Sequence, residues 1–137
     1  MVKGIAEMQA MFRRRAAKAV AAGKAQAQAS GDQVASAMRY LAPREDGALI
    51  RSIRVEDAET IATSRGERGF IGVVVKAGDD TTIVTSHTGA RFQNAKLQEH
   101  GTKNMAANPY FNPAWRANRA RVRSAISRAI RKAWASG

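Results

Sequence analysis

The sequence has no cysteine and only three prolines, and its aromatic residues are limited to four Phe, two Tyr and two Trp. Without cysteine, neither a disulfide framework nor a thiolate metal site can form, and the composition fits a reducing compartment. No stretch approaches the roughly 20 consecutive apolar residues of a membrane span. The first residues lack the apolar run of a signal peptide. We therefore expect no membrane association, and the length predicts a single domain over 1–137 with a core of its own.

Acidic residues are absent after Glu99, although basic residues are abundant there. Overall, 23 Lys and Arg stand against 11 Asp and Glu, for a net charge of +12. The net charge is +5 over residues 1–42, −1 over 43–101 and +8 over 102–137. Two cationic ends therefore flank a balanced middle. This distribution is typical of a solvated basic surface, or of one that meets nucleic acid, an acidic protein or a membrane face.

The first 42 residues are predicted to form one long helix. Apolar side chains such as Ile5, Phe12, Val34 and Leu41 recur at one helical phase, which is kept across the Ser-Gly-Asp sequence at 30–32. Two independent helices would not need to share a phase. Pro43 is expected to end the helix, because the residue before a proline is disfavoured in the α region.

A second helix is predicted over 113–135, with Asn112 as its cap and Pro113 at its first position. Trp115 lies on its apolar face. The opposite face is basic and carries Arg121, Arg128, Arg131 and Lys132. We predict these four residues, together with Trp134 near the chain end, as interface residues. A cationic face without acidic neighbours cannot be neutralised within its own helix, and it suits either phosphates or an acidic protein ring.

Between the helices, the pattern predicts an antiparallel sheet of about four strands over 48–86 and a loop region over 87–112. The clearest strand, 70–76, is rich in β-branched residues, and 81–85 is expected to pair with it as a hairpin. Residues 49–56 and 60–63 supply the other strand segments, and 91–100 fits either a helix or a strand. Gly101 is expected to supply either a positive φ angle or a close backbone approach. The predicted fold class is α+β, with a long helix at each end.

No group of residues has the spacing of a catalytic or metal-binding site. His87 and His100 are the only histidines, and no carboxylate stands at a zinc-ligand spacing from either. The serines lack a Gly-x-Ser-x-Gly elbow, and the glycines match neither a P-loop nor a dinucleotide fingerprint. We therefore predict that the protein is not an enzyme and uses no cofactor or metal. A small hydrolase using one of the histidines is the alternative.

Two stretches together resemble one known family. Residues 42–53 read Ala-Pro-Arg-Glu-Asp-Gly-Ala-Leu-Ile-Arg-Ser-Ile, and their motif positions are Pro43, Gly47 and Ser52. In the second stretch, the motif positions are Glu99, Gly101, Thr102, Pro109, Tyr110, Phe111 and Pro113. In order and spacing, over about residues 10–135, the chain resembles the head–tail joining or tail-completion (neck) proteins of long-tailed bacteriophages, the gene-product-ten-like tail components. It departs from their pattern at Asp46, where Thr is commoner, and at His100, where an aromatic is usual.

The resemblance implies a structural virion protein of the phage neck, assembled in the host cytoplasm. Six or twelve copies would form a ring between the head connector and the tail tube. Its partners would be other copies, neighbouring connector or stopper and tail-tube proteins, and the genomic DNA passing through the channel. Pro109, Tyr110 and Phe111 would be interface residues by analogy, and no catalytic residue is implied. The alternatives are a tail-terminator ring capping the tube and, from another class, a sequence-independent DNA-binding protein.

Overall fold

A computed structural model of the chain describes residues 2–45, 47–63 and 66–136, and of residues 2, 3, 59–63 and 67–71 it describes the backbone only. The helices are α1 (Val2–Leu41), α2 (Ala48–Ser52), α3 (Asn94–His100) and α4 (Phe111–Ser136). The strands are β1 (Arg54–Thr63), β2 (Gly66–Lys76), β3 (Ile83–Thr85) and β4 (Arg91–Gln93). Strand β1 pairs with β2 and β3 with β4, which gives two antiparallel two-stranded sheets. The fold is therefore mixed helix and sheet, with a long helix near each end, as the sequence predicted.

The prediction of one continuous N-terminal helix is confirmed. Helix α1 extends over 40 residues and passes through Gly31 without interruption. Alanine-rich sequence propagates a helix well, and one glycine costs only about 1 kcal/mol relative to alanine. The helix ends at Leu41, where the Ala42 N–H still bonds the Met38 carbonyl before Pro43 redirects the chain.

Residue contacts divide the chain into two compact units. Unit 1 consists of Met1–Ser30, Asp57–Val73 and Arg121–Gly137, and unit 2 of Gly31–Glu56 and Val74–Ala120. Each unit draws on both long helices and on both strands of the β1–β2 pair.

Of the buried apolar side chains that the structure describes, most lie in unit 2. Val34 and Met38 of α1 are at most 2% exposed, as are Leu49 of α2, Ile53 and Tyr110. The guanidinium of Arg39 donates through Nε and Nη2 to the Ile53 carbonyl, at 3.3 and 2.7 Å. The end of α1 is thereby tied to the segment that leaves α2.

In unit 1, α1 and α4 pack side by side with opposite chain directions. The rings of Phe12 and Trp134 meet edge-on with centroids 4.9 Å apart. The Lys18 ammonium lies 3.4 Å from the Ser136 carbonyl. Farther along the pair, Gly23 faces Ile130 so closely that an added Cβ would lie 3.0 Å from its side chain. Small residues thus let this part of α1 approach α4 closely.

The predicted sheet over 48–86 needs two corrections. Residues 48–52 form the short helix α2, so the first strand begins at Arg54. Residues 81–85 do not pair with 70–76 as a hairpin. Asp80–Thr82 is a 3-10 turn capped by the Asp79 carboxylate, and β3 pairs with β4, with Val84 opposite Phe92. The capped turn lies between the end of β2 at Lys76 and the start of β3 at Ile83.

The predicted loop region over 87–112 is also wrong in part. It contains β4 and α3, so residues 91–100 form a strand followed by a helix. Helix α4 begins at Phe111, two residues before the predicted start. Asn112 and Pro113 therefore lie inside its first turn, and Asn112 is not the N-cap. The physical reason is a carboxylate from elsewhere in the chain, that of Glu99, which satisfies the first N–H groups of the helix.

Candidate assembly surface

Helix α4 concentrates positive charge that its own surface does not balance. It contains seven basic residues and no acidic one, and all seven side chains are exposed: Arg116, Arg119, Arg121, Arg123, Arg128, Arg131 and Lys132. Among the side chains that the structure describes, the ion pairs lie elsewhere, two at Glu56 and one at Asp57. A helix this basic, without internal ion pairs, favours contact with an anionic surface.

A groove runs between α1 and α4 in unit 1, and we call it the α1–α4 groove. Four buried or half-buried alanines form its floor: Ala22, Ala125, Ala129 and Ala133. Three exposed cations line it: Lys18, Arg128 and Lys132. Ala21, Gln26 and Ser136 complete the lining, which has no acidic residue. The groove is therefore apolar at its base and positively charged along its sides.

A second, shallower site lies on α4 alone, and we call it the arginine–serine depression. It is lined by Arg123, Ser124, Ser127, Arg128 and Arg131. Guanidinium and hydroxyl groups are the usual donors to phosphate and carboxylate oxygens. Arg128 belongs to both sites, so the predicted interface residues Arg128, Arg131 and Lys132 are brought together along one surface. Arg121 is exposed on the same helix but lines neither site.

Glu99 organises the start of α4 in unit 2. Its Oε1 accepts the N–H groups of Tyr110 and Phe111 at 3.0 and 2.7 Å, and its Oε2 accepts that of Asn112 at 3.0 Å. The side chain is 9% exposed. Burial alone would raise the pKa of Glu99, but the three N–H donors outweigh burial and hold that pKa below its ordinary 4.5. The motif position Glu99 is therefore a helix cap.

Of the predicted interface residues around this cap, Tyr110 must be corrected. Its side chain is 1% exposed, and its hydroxyl donates to the Ala95 carbonyl at 3.1 Å. Burial, followed by the nearby Glu99 carboxylate, raises the pKa of Tyr110 to about 12. Phe111 is half-buried with its ring edge-on to Tyr110, whereas Pro109 is exposed. Only Pro109 and part of Phe111 are free to meet a partner.

The turn between Glu99 and the cap depends on Gly101. Its φ angle is 73°, as predicted, and an added Cβ would lie 2.6 Å from the Ala107 backbone nitrogen. The next residue, Thr102, exchanges backbone hydrogen bonds with Met105, at 2.8 and 3.3 Å. These contacts fold residues 101–107 back on themselves, so that the chain returns to the Glu99 carboxylate.

The other motif is structural as well. Pro43 follows the end of α1, and Gly47 precedes α2 with a φ angle of 76°. Ser52 is 1% exposed, donates to the Leu49 carbonyl at 2.6 Å and accepts the Gly78 N–H at 2.9 Å. Its hydroxyl therefore joins α2 to the turn after β2. Asp46, within the same motif, lies outside the described residues.

Trp134 was predicted as an interface residue on the ground that a ring so near the chain end needs a surface to bury it. It is half-buried, and its ring meets Phe12 of α1. Phe12 itself is 59% exposed and continues an apolar strip that begins with Ile5 and Met8, both more than half exposed. Trp134 therefore packs against one end of an exposed apolar strip on α1.

Sequence reasoning missed Lys18, the alanine floor and the contribution of Arg123. Ser124 and Ser127 precede Arg128 and Arg131 by four residues each, so helical phase puts them on the basic side of α4, and this is the sequence signal for the arginine–serine depression. No sequence pattern shows that Lys18, more than 100 residues from Lys132, lines the same groove. That juxtaposition depends on how α1 and α4 pack.

Both histidines are exposed, His87 in a turn and His100 at the end of α3. Within the described part of the chain, no three His, Asp or Glu side chains are arranged to hold a metal ion. None of the described helices has the length and apolarity needed to cross a bilayer. No protein-family model matches the sequence, and no match is found among curated proteins or solved structures.

Proposed function

We propose that this protein is a structural subunit that acts by assembly, as a tail-completion or head–tail joining component of a long-tailed bacteriophage. In this role, copies form a ring of six or twelve between the head connector and the tail tube, within the virion. The protein meets the connector or stopper on one side and the tail tube on the other. Genomic DNA passes through the channel, and the subunit itself catalyses no reaction.

The observation that carries this proposal is the unneutralised charge of α4. Seven exposed cations without an ion pair in the described chain are a poor arrangement for an isolated helix, because like charges at i,i+4 spacing repel. A neighbouring anionic surface removes that cost. Helix α1 gives a second indication of assembly, because it exposes the apolar residues Ile5, Met8 and Phe12, and exposed apolar strips mark interaction surfaces. Both features suit a subunit whose surfaces are covered on assembly.

The assignment to the neck rests on the two sequence motifs that resemble the tail-completion family. A ring requires a heterologous interface, in which one patch binds a different patch on the next copy. The chain offers two unlike surfaces for separate contacts: the apolar strip on α1 can meet the next copy, and the basic face of α4 can meet an anionic neighbouring ring. A tail-terminator ring would use the same surfaces in a different layer, and it is the nearest alternative.

The proposal is tested with the purified chain, alone and mixed with tail tubes or with DNA-filled heads. Light scattering gives the particle mass, and negative-stain imaging shows where the protein binds. We expect rings, or added density at the neck. The variant Arg121→Gln, Arg128→Gln, Arg131→Gln and Lys132→Gln is expected to fold but to fail in joining heads to tails.

A matched control removes four charges from other exposed positions: Arg44, Arg91, Lys96 and Lys103, each replaced by Gln. Both variants lower the net charge from +12 to +8. If charge location matters, the control joins heads to tails normally. Normal joining by the α4 variant, or equal loss in both variants, contradicts the proposal.

A second candidate, sequence-independent DNA binding, is favoured by the arginine–serine depression. Its guanidinium and hydroxyl groups are the donors that proteins use most on phosphates. This function predicts DNA affinity that falls steeply with salt, with a slope set by the number of phosphates contacted. Duplex titration at several salt concentrations separates it from assembly, because a subunit that only joins proteins shows no such binding.

A further inference from the structure

The α1–α4 groove combines an apolar floor with positively charged sides, and neither a phosphate backbone nor a purely apolar partner would match both. Its floor is alanine, and its sides carry the cations Lys18, Arg128 and Lys132. A phosphate backbone pairs with cations but gains nothing from an alanine floor. A purely apolar partner would remove water from the three cations without giving them a countercharge, which costs free energy. The occupant must therefore be apolar in its centre and negatively charged along its edges.

We infer that the α1–α4 groove binds an amphipathic helix from a partner protein, with small or aliphatic residues along its seam and carboxylates on both sides. The inference deepens the proposed function and rests on it for the existence of a protein partner. Helices pack closely where the contact residues are small, and the alanines of the groove floor, contributed by both α1 and α4, permit that approach. The carboxylates of the bound helix pair with Lys18 on α1 and with Lys132 on α4.

The surface of α1 beyond the groove supports the same occupant. Met8, Met11 and Arg15 precede Lys18 and Ala22 with alternating spacings of three and four residues, which keeps all five on one side of a helix. Met8 and Met11 are 58% and 38% exposed. Flexible methionines accommodate varied apolar partners. A helix lying in the groove can continue along this stripe.

Charge within the stripe is also uncompensated. Arg15 is half-buried, and its Nε is buried with no hydrogen-bond partner among the described residues. Neither Arg15 nor Lys18 forms an ion pair with any side chain that the structure describes. A carboxylate on the bound helix supplies the missing countercharge, and pairing at such a partly desolvated site is stronger than at a fully exposed one.

This chain is itself a poor source of the bound helix. Its two long helices carry only Glu7 and Asp32 as acidic residues, both on α1. Neither helix can present carboxylates along two edges. The charge complementarity therefore favours a different protein over a second copy.

The test uses fluorescent peptides and the full chain at about 0.15 M salt, where long-range attraction is screened. The probe is a helical peptide about four turns long with an Ala/Leu seam and Glu flanks. The first comparison peptide has Lys flanks, the second has a Ser seam, and the third probe is a short DNA duplex. Anisotropy titration is expected to show saturable binding of the Glu-flanked peptide with the intact seam alone.

Two matched variants locate the binding. Lys18→Gln with Lys132→Gln removes two charges that line only the groove, and Arg123→Gln with Arg131→Gln removes two that line only the depression. The groove variant is expected to weaken peptide binding by about fivefold or more, whereas the depression variant leaves it unchanged. Ala21→Glu, which places a carboxylate in the groove lining, is expected to weaken binding further, and Ala17→Glu, outside the lining, is the control.

Several results overturn the inference. These are no saturable binding of the Glu-flanked peptide, equal binding by the groove variant, or DNA that competes with the peptide and is lost with the same groove substitutions. The last result identifies a phosphate surface instead. Failure here is separable from failure of the proposed function, since ring formation and head–tail joining are measured without any peptide.

Discussion

At the scale of single residues, Glu99 of α3 caps the start of α4 in unit 2. One carboxylate accepts three backbone N–H groups at the start of α4, which would otherwise be unpaired. The positive end of the helix dipole favours the same negative charge. A cap supplied from another helix also explains why α4 starts earlier than its own sequence indicates.

The substitution Glu99→Gln is expected to lower the free energy of unfolding by about 2 kcal/mol, because an amide NH₂ must then face a backbone N–H. Urea unfolding followed by circular dichroism measures the loss. Glu45→Gln, at an exposed site, is the control and should change little. Equal stability of the two variants would show that the cap contributes nothing.

The same cap has a defined pH dependence. Since the folded pKa of Glu99 lies below its ordinary 4.5, its stabilisation is complete above that pH and is lost as the pH falls through the folded pKa. The stability difference between wild type and Glu99→Gln should therefore be constant above about pH 4.5 and shrink below it. Unfolding curves at several acidic pH values test this, and a gap that widens on acidification contradicts it.

Tyr110 provides a residue-scale prediction at the other end of the pH range. Its pKa is raised from 10.0 to about 12, first by burial and then by Glu99. The stabilisation by the neutral phenol is thus complete below pH 10 and is lost as the pH rises through about 12. Ultraviolet titration of tyrosinate should show a step near pH 12 that disappears in Tyr110→Phe. Persistence of that step in the variant would assign it elsewhere.

At the scale of elements, Gly23 lies in the contact between α1 and α4 in unit 1, opposite the side chain of Ile130. Alanine is favoured over glycine in a helix interior by about 1 kcal/mol, but an added Cβ would lie 3.0 and 3.2 Å from two atoms of Ile130. Ile130 is 39% exposed, so its side chain can shift by the few tenths of an ångström required. The gain in helix propensity should therefore exceed the cost of the closer contact with Ile130.

We expect Gly23→Ala to raise the free energy of unfolding by about 0.5 kcal/mol in the wild-type background. When Ile130 has already been replaced by Ala, the same substitution should raise it by about 1 kcal/mol. A double-mutant cycle by chemical unfolding measures both values. Gly4→Ala is the comparison, because nothing lies within 4 Å of its added Cβ. A large loss on Gly23→Ala alone would show that Ile130 is held rigidly.

At the scale of the whole molecule, the net charge of +12 predicts a salt dependence. Screening weakens repulsion among exposed cations, so salt should raise the melting temperature. The variant with four Gln substitutions at Arg121, Arg128, Arg131 and Lys132 should melt about 2 °C higher than wild type at low salt and respond less to added salt. Thermal unfolding over a salt series tests this, and the control is the variant with Gln at Arg44, Arg91, Lys96 and Lys103. A melting temperature independent of salt contradicts it.

Much of the architecture could be predicted from local sequence. A shared helical phase from Ile5 to Leu41 predicted α1, Pro43 marked its end, and the positive φ of Gly101 followed from its place in a polar turn. The basic character of α4 was evident because no acid follows Glu99. These features depend on neighbours within a few residues, where periodicity and backbone sterics are decisive.

Long-range pairing was decided only by the tertiary structure. The β-branched run 81–85 fits a strand beside either β2 or β4, and in the structure β3 pairs with β4. The start of α4 depends on a carboxylate eleven or more residues away. The α1–α4 groove joins residues from the two ends of the chain. Such contacts form because burial and backbone hydrogen bonding are satisfied globally, and no local pattern contains that information.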